Sequence, residues 1–157
     1  MKKVKIEDIL EAIESANDEG NYYYNKITGE IVYIDDETRR IAEDYNEDDL
    51  EGLPEWQRDD VEAAIDVEKN WDNYISLPSK FDIDEYDIMV EFCYFLSNEK
   101  VSNQLLNVLN GKGAFRRFKD TAISLDVEKR WYDFKDESLR KIALSWCSDN
   151  ELQIEKN

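Results

Sequence analysis

The sequence predicts a mainly α-helical domain with a small N-terminal β-hairpin, an α+β class in which a single-layer hairpin packs on helices. Two observations predict it: apolar residues recur at three- and four-residue spacing through most of the chain, and one stretch, Tyr22 to Ile34, holds two β-rich runs around a short glycine turn. A third bounds the size. With 157 residues, 41% hydrophobic and 12% aromatic, the chain is long enough for one domain to bury its own core without disulfide or metal support. Residues 1–157 are therefore read as a single domain, with a candidate seam in the acidic loop 46–53.

The elements follow in order. Ile6, Ile9, Leu10 and Ile13 recur at helical spacing and predict an amphipathic helix over 5–17, ended by Asn17-Asp18-Glu19-Gly20. Tyr22-Tyr23-Tyr24 and Glu30-Ile31-Val32-Tyr33-Ile34 then form the hairpin around Ile27-Thr28-Gly29. A short helix is expected around Glu37–Tyr45, before a polar loop. Pro54 suits a first helical turn, and Trp56, Val61, Ala64, Ile65 and Trp71 are read as its apolar stripe, stopped by Leu77-Pro78-Ser79. Asp82 with Glu85 reads as a cap for a central helix over 83–97 that buries Ile83, Tyr86, Met89, Val90, Cys93 and Tyr94. A further helix fits Ser102–Asn110, with Leu105, Leu106 and Leu109 inward and Gly111 at its end. Three more patterns follow: Ala114–Ser124, a Trp131/Phe134 segment capped by Asp126, and Glu137–Cys147.

Composition excludes several chemistries. Without a single histidine there is no Ser-His or Cys-His dyad and no imidazole metal ligand. Cys93 and Cys147 stand alone on apolar helix faces, as buried free thiols of a reducing cytoplasm would. No apolar run reaches membrane-spanning length, so a soluble, cytoplasmic protein with no membrane partner is expected. Net charge is −18, and its spread is uneven: residues 1–110 hold 10 basic and 29 acidic residues, residues 111–157 hold 10 and 9.

Two constellations stand out. Gly111-Lys112-Gly113-Ala114-Phe115-Arg116-Arg117-Phe118-Lys119-Asp120 is the one dense basic cluster. Its glycines open a helix whose first N–H groups are unsatisfied, so Gly111, Lys112, Gly113, Arg116, Arg117 and Lys119 form a candidate anion site. It is not a P-loop, because the GxxxxGK[ST] spacing and the magnesium-holding hydroxyl are missing. The competing reading is structural: the glycines cap and turn, the arginines pair with carboxylates, and Phe115 and Phe118 mark the core side. Arg116 and Arg117 stand about 100° apart on a helix, so they do not serve one ligand equally.

The second constellation is an acidic belt from Asp35 to Asp72, with Asp35, Asp36, Glu37, Glu43, Asp44, Glu47, Asp48, Asp49, Asp59 and Asp60 as its candidate interaction residues. Its spacing does not match a calcium loop. Carboxylates on a rigid scaffold can meet a basic protein or imitate the phosphates of a duplex, and the plainer reading is a solvated face. Tyr22, Tyr23, Tyr24 and Tyr33 add a candidate aromatic patch.

The Leu77-Pro78-Ser79 turn, the Asp84-Glu85-Tyr86-Asp87-Ile88-Met89 segment, the Gly111–Asp120 cluster and Trp131-Tyr132, with a hairpin built on Tyr23, Thr28-Gly29-Glu30 and Tyr33, resemble the bacterial uncharacterised protein family 0158 over most of residues 22–147. The resemblance implies a small cytoplasmic bacterial protein and brings no activity, cofactor or catalytic residue to these positions. The reading carried forward is a non-enzymatic interaction or regulatory module, with no cofactor and no metal, whose acidic surface engages a basic protein partner. The alternatives are a phosphorylated small molecule, nucleotide or nucleic acid held by the Gly-Lys-Gly and Arg-Arg turn, and acidic mimicry of DNA.

Overall fold

Strand pairing is where the chain departs first from local pattern. In the computed structural model, which describes residues 3–46 and 50–155, the hairpin strands β1 (Gly20–Asn25) and β2 (Ile31–Asp35) pair antiparallel, from Gly20 opposite Asp35 to Tyr24 opposite Ile31. The turn closes because Asn25 Oδ1 accepts from the backbone N–H of Ile27 at 2.8 Å and of Thr28 at 3.2 Å, and Gly29 takes a φ of +80°. A third strand, β3 (Tyr74–Ser76), pairs with the other side of β1, giving the order β2-β1-β3. The fold is thus mainly helical with a small N-terminal three-stranded antiparallel sheet.

The helices include α1 (Ile6–Glu14), α2 (Asp36–Glu43), α3 (Glu55–Lys69), the short α4 (Lys80–Ile83), α5 (Glu85–Phe95), α6 (Glu99–Val108), α7 (Ala114–Ser124) and α8 (Glu128–Asp149). They fall into two compact units: Met1–Asp82 with Ala143–Asn157, and Ile83–Ile142. Among the described residues, no helix is long and apolar enough to cross a membrane.

In the first unit, strand alternation sends the tyrosines to opposite faces. Tyr23, with Val32, Ile34 and Tyr74, joins a core that also holds Ala42 of α2 and Val61, Ala64 and Val67 of α3. Tyr24 faces the other way and meets Trp146 edge-on at 6.1 Å. The candidate aromatic patch is therefore divided; of its four rings, those of Tyr22 and Tyr33 meet at a tilt of 45°, with centroids 4.7 Å apart. The α1 helix buries Ile6, Ile9, Ala12 and Ile13 on one stripe. Val4 bridges Ile154 in parallel, and the backbone N–H of Val4 donates to Gln153 at 2.8 Å.

Trp56, in the first turn of α3, is 68% exposed, and Trp71 lies beyond the end of α3 in a single 3-10 turn, where helical spacing no longer applies. Leu77-Pro78-Ser79 does not stop α3; it follows β3 and starts α4. Asp82 pairs back to Ser79, each side chain accepting the other's backbone N–H, at 3.0 and 3.1 Å. Asp84, in the left-handed region at φ +48°, caps α5 by accepting from the N–H of Asp87 at 3.2 Å.

The second unit is built on aromatic contacts. Phe92 of α5, Phe118 of α7 and Trp131 of α8 are fully buried, and their rings meet at centroid distances of 5.0 to 6.2 Å. Met89 and Cys93 lie inward as expected, but Tyr94, about 200° around the helix from Phe92, is 74% exposed. Tyr86 also reaches outward, donating its hydroxyl to Leu109 O at 3.0 Å. Phe115 is 38% exposed, so Phe118 alone of the pair marks the core side. Asp126 does not cap the next helix: at φ +58° it ends α7, with Val127 N–H reaching Ala122 O and its own N–H reaching Ile123 O. The two helical segments expected after it are one continuous helix, α8, whose residues to Ile142 belong to this unit.

Both cysteines are buried and free. Burial pushes the Cys93 thiol up to about 11 and raises Cys147 as well, so neither is a thiolate near neutrality.

Candidate functional site

The basic cluster folds as the link between α6 and α7. Gly111 and Gly113 take φ of +67° and +77°, and the second stands at the N-cap of α7 without a side-chain cap. The turn leaves the last carbonyls of α6 without helical partners, as any helix end does. Arg117 answers them. Its Nε donates to Val108 O at 3.3 Å, its Nη1 to Lys112 O at 2.6 Å and its Nη2 to Asn110 O, so one planar guanidinium ties three carbonyls of the turn together. Arg116 points to solvent, its side chain 89% exposed and 3.9 Å from Asp120. Lys119 stands 3.9 Å from Glu85, which also meets Lys135 at 3.1 Å. Lys112 has no side-chain partner among the described residues. The cluster is thus brought into one turn, but its cationic groups do not converge on one point.

This geometry sets a sharp expectation. Arg117→Ala leaves three turn carbonyls without their donor and should cost about 1–2 kcal/mol of stability, and Lys at 117 should not restore it, lacking the fork. Arg116→Ala should leave the urea midpoint unchanged. Equal effects at the two positions would contradict the assignment.

The acidic residues sort by role. Asp35 is the N-cap of α2: its Oδ1 accepts from the Thr38 N–H at 2.7 Å, and that bond holds its carboxyl below the usual range. Asp36 and Glu37 follow in the first turn, where negative charge suits the helix dipole. Glu43 meets Arg39 at 3.5 Å, and Arg39 also lies 3.8 Å from Glu68. Asp44 ends α2 exposed, while Asp59 and Asp60 stand exposed on the neighbouring α3. Glu47, Asp48 and Asp49 lie outside the described residues.

Sequence reading missed a second acidic feature. Between α1 and the turn leading into β2 is a groove of about 500 Å³, lined by Asp8, Glu11, Ser15, Tyr22, Glu30 and Ile31 among others, with no cationic side chain in its wall among the described residues. Asp8 and Glu11 have no side-chain partner among the described residues, whereas the Glu30 carboxylate acts on Tyr74. The only signal in the sequence was the polar side of the α1 pattern, which does not say what lies opposite it. Charge follows the architecture: the first unit holds 10 Lys and Arg against 27 Asp and Glu, the second 10 against 11.

Comparison with known proteins places the chain. Uncharacterised protein family (UPF0158) matches residues 2–156. The chain belongs to UPF0158. It is similar to the UPF0158 protein of Chlamydia muridarum (strain MoPn / Nigg), 23% identical over 152 residues, covering 93% of this chain and 40% of the relative. The UPF0158 protein of Chlamydia trachomatis serovar D is similar to the same extent, at 23% identity over 152 residues. The chain thus spans 40% of the length of these relatives. No solved structure matches. Because the UPF0158 match covers both units, the basic turn and the acidic groove each lie within it.

Proposed function

We propose that this UPF0158 chain is a non-enzymatic, cytoplasmic interaction module whose acidic first unit engages a basic protein. The observation that carries the reading is the concentration of charge: 27 acidic against 10 basic residues in one compact unit, with the second unit near neutrality. Such a field attracts a basic surface and speeds its encounter. Much of it is unspent internally. Asp36, Glu37, Asp59 and Asp60 are exposed without ion-pair partners among the described residues, as are the groove carboxylates. The two buried free thiols suit a reducing compartment.

The test is affinity capture of the tagged chain from cytoplasm, with and without nuclease. A basic protein retained after nuclease, and released as salt rises through roughly 0.1 to 0.5 M, is the expected result. The variant carrying Asp36→Asn, Glu37→Gln, Asp59→Asn and Asp60→Asn should retain less of it. Recovery that depends on nucleic acid would overturn the reading and move attention to Lys112 and Arg116, exposed cationic side chains that are not tied to the carbonyls of the turn.

A further inference from the structure

The three-stranded sheet has two edges, and they are treated differently. β3 is only three residues long, and its outward Ser76 O accepts from Trp146 Nε1 at 2.9 Å, so that edge is short and capped. β2 is five residues long and carries neither lysine nor proline. Its hydrogen bonds to β1 alternate, and Asn25 N–H to Glu30 O and Asp36 N–H to Glu19 O fix the phase: Val32 and Ile34 bond inward, while the N–H and C=O groups of Ile31 and Tyr33 face away from the sheet. Those outward groups meet no partner among the described residues. Ile31, the first residue of this open edge, is also a wall of the acidic groove, facing Asp8 and Glu11 across it.

Two independent features therefore coincide: backbone groups that lack a fourth strand, and a carboxylate-lined groove with an aromatic ring, Tyr22, in its wall. Resting on the acidic-module reading, we infer that the β2 edge takes up an extended, lysine- or arginine-bearing segment of the partner as a fourth strand. Its backbone pairs with Ile31 and Tyr33, and its side chains on the groove face meet Asp8 and Glu11. A cationic head there also gains the face of Tyr22. A second copy of this chain fits poorly. Antiparallel pairing of two β2 edges would bring the Glu30 ends against the Asp35 ends, and each copy carries a net charge of −18.

The test uses an end-blocked peptide of roughly six alternating valine and lysine residues, about one strand in length, read by titration against the intact chain. Binding is expected, with none for the valine–glutamate counterpart. Methylating the peptide's backbone nitrogens on the pairing side should raise Kd about tenfold or more while leaving its charge intact. The variant Asp8→Asn, Glu11→Gln should do the same. If the methylated peptide binds as well as the parent, strand addition is wrong; if the double variant binds as well as the wild type, the groove is not the site. In either case continued binding of the basic peptide leaves the acidic-module reading standing. That reading fails separately, by loss of salt-sensitive protein capture. A concentration-dependent dimer that Ile31→Pro dissociates would assign the edge to a second copy and overturn the inference.

Discussion

Gly20→Ala is expected to destabilise the chain by about 3 kcal/mol, although it adds one methyl group. A Cβ at this position would stand 2.5 Å from Ile34 O, 2.7 Å from the Asp35 Cα and 2.8 Å from the Tyr33 hydroxyl. The tyrosine hydroxyl can move, at the cost of its 3.0 Å bond to Asn17 Oδ1. The two backbone atoms cannot. They belong to β2 where Gly20 opposes Asp35, and Asp35 in turn caps α2, so relieving the overlap opens the first rung of the sheet and disturbs a helix start. Gly111→Ala is the control. It has nothing within 4 Å and suffers only its left-handed φ of +67°, which should cost about 1 kcal/mol. Urea midpoints of the two variants settle the matter: similar values would mean that Gly20 is not held by close approach.

That contact also marks where sequence reading stops. Gly20 was legible as the end of a helical pattern, but the reason it must be glycine lies fourteen and fifteen residues further on, in atoms that local periodicity does not reach. The same limit applies to β3. Tyr74-Ile75-Ser76 is too short to show alternation, and it is a strand because the far side of β1 offers a free edge, where Leu77 N–H reaches Tyr22 O and Lys26 N–H reaches Asn73 O. Tyr74 is fixed there by its hydroxyl, which donates to Asp66 and accepts from Asn25 Nδ2 at 3.2 Å; burial, then the bond to Asp66, pushes it up to about 12.

Helical periodicity worked where the buried stripe consists of aliphatic residues, as in Ile6, Ile9 and Ile13. It misled with aromatics. Trp56, Tyr86 and Tyr94 have the hydrophobicity of core residues, yet their size lets them be placed at surfaces, and spacing alone does not separate the two cases. The break expected inside α8, around Asp136-Glu137-Ser138, is a polar patch on a continuing helix. At the candidate sites, charge was legible and its use was not. Arg117 is anchored by carbonyls, which leave no trace in a side-chain pattern, and the acidic groove joins α1 to a turn some twenty residues away.

Trp131→Ala is expected to be the more damaging of the two core tests, at about 3–5 kcal/mol, a cost comparable with the lower end of whole-domain stabilities. Trp131 is fully buried, and its ring sits 5.0 Å from Phe118 and 5.5 Å from Phe92, which are themselves 6.2 Å apart. Removing it leaves two aromatic rings facing a void, and a close-packed interior recovers little by relaxing around one. The indole nitrogen offers a way to separate packing from polarity. Trp131 Nε1 has no hydrogen-bond partner among the described residues, so Trp131→Phe deletes volume without breaking a bond and should cost about 1–2 kcal/mol. Tyr132→Ala, one position along and 46% exposed, should shift the midpoint by about 0.5 kcal/mol or less. Denaturant titrations followed by far-ultraviolet circular dichroism rank the three. A Trp131→Phe loss equal to that of Trp131→Ala would mean that the indole N–H is a required donor, and the second unit would then be held by a polar anchor at its centre in place of the edge-to-face contacts of its aromatic rings.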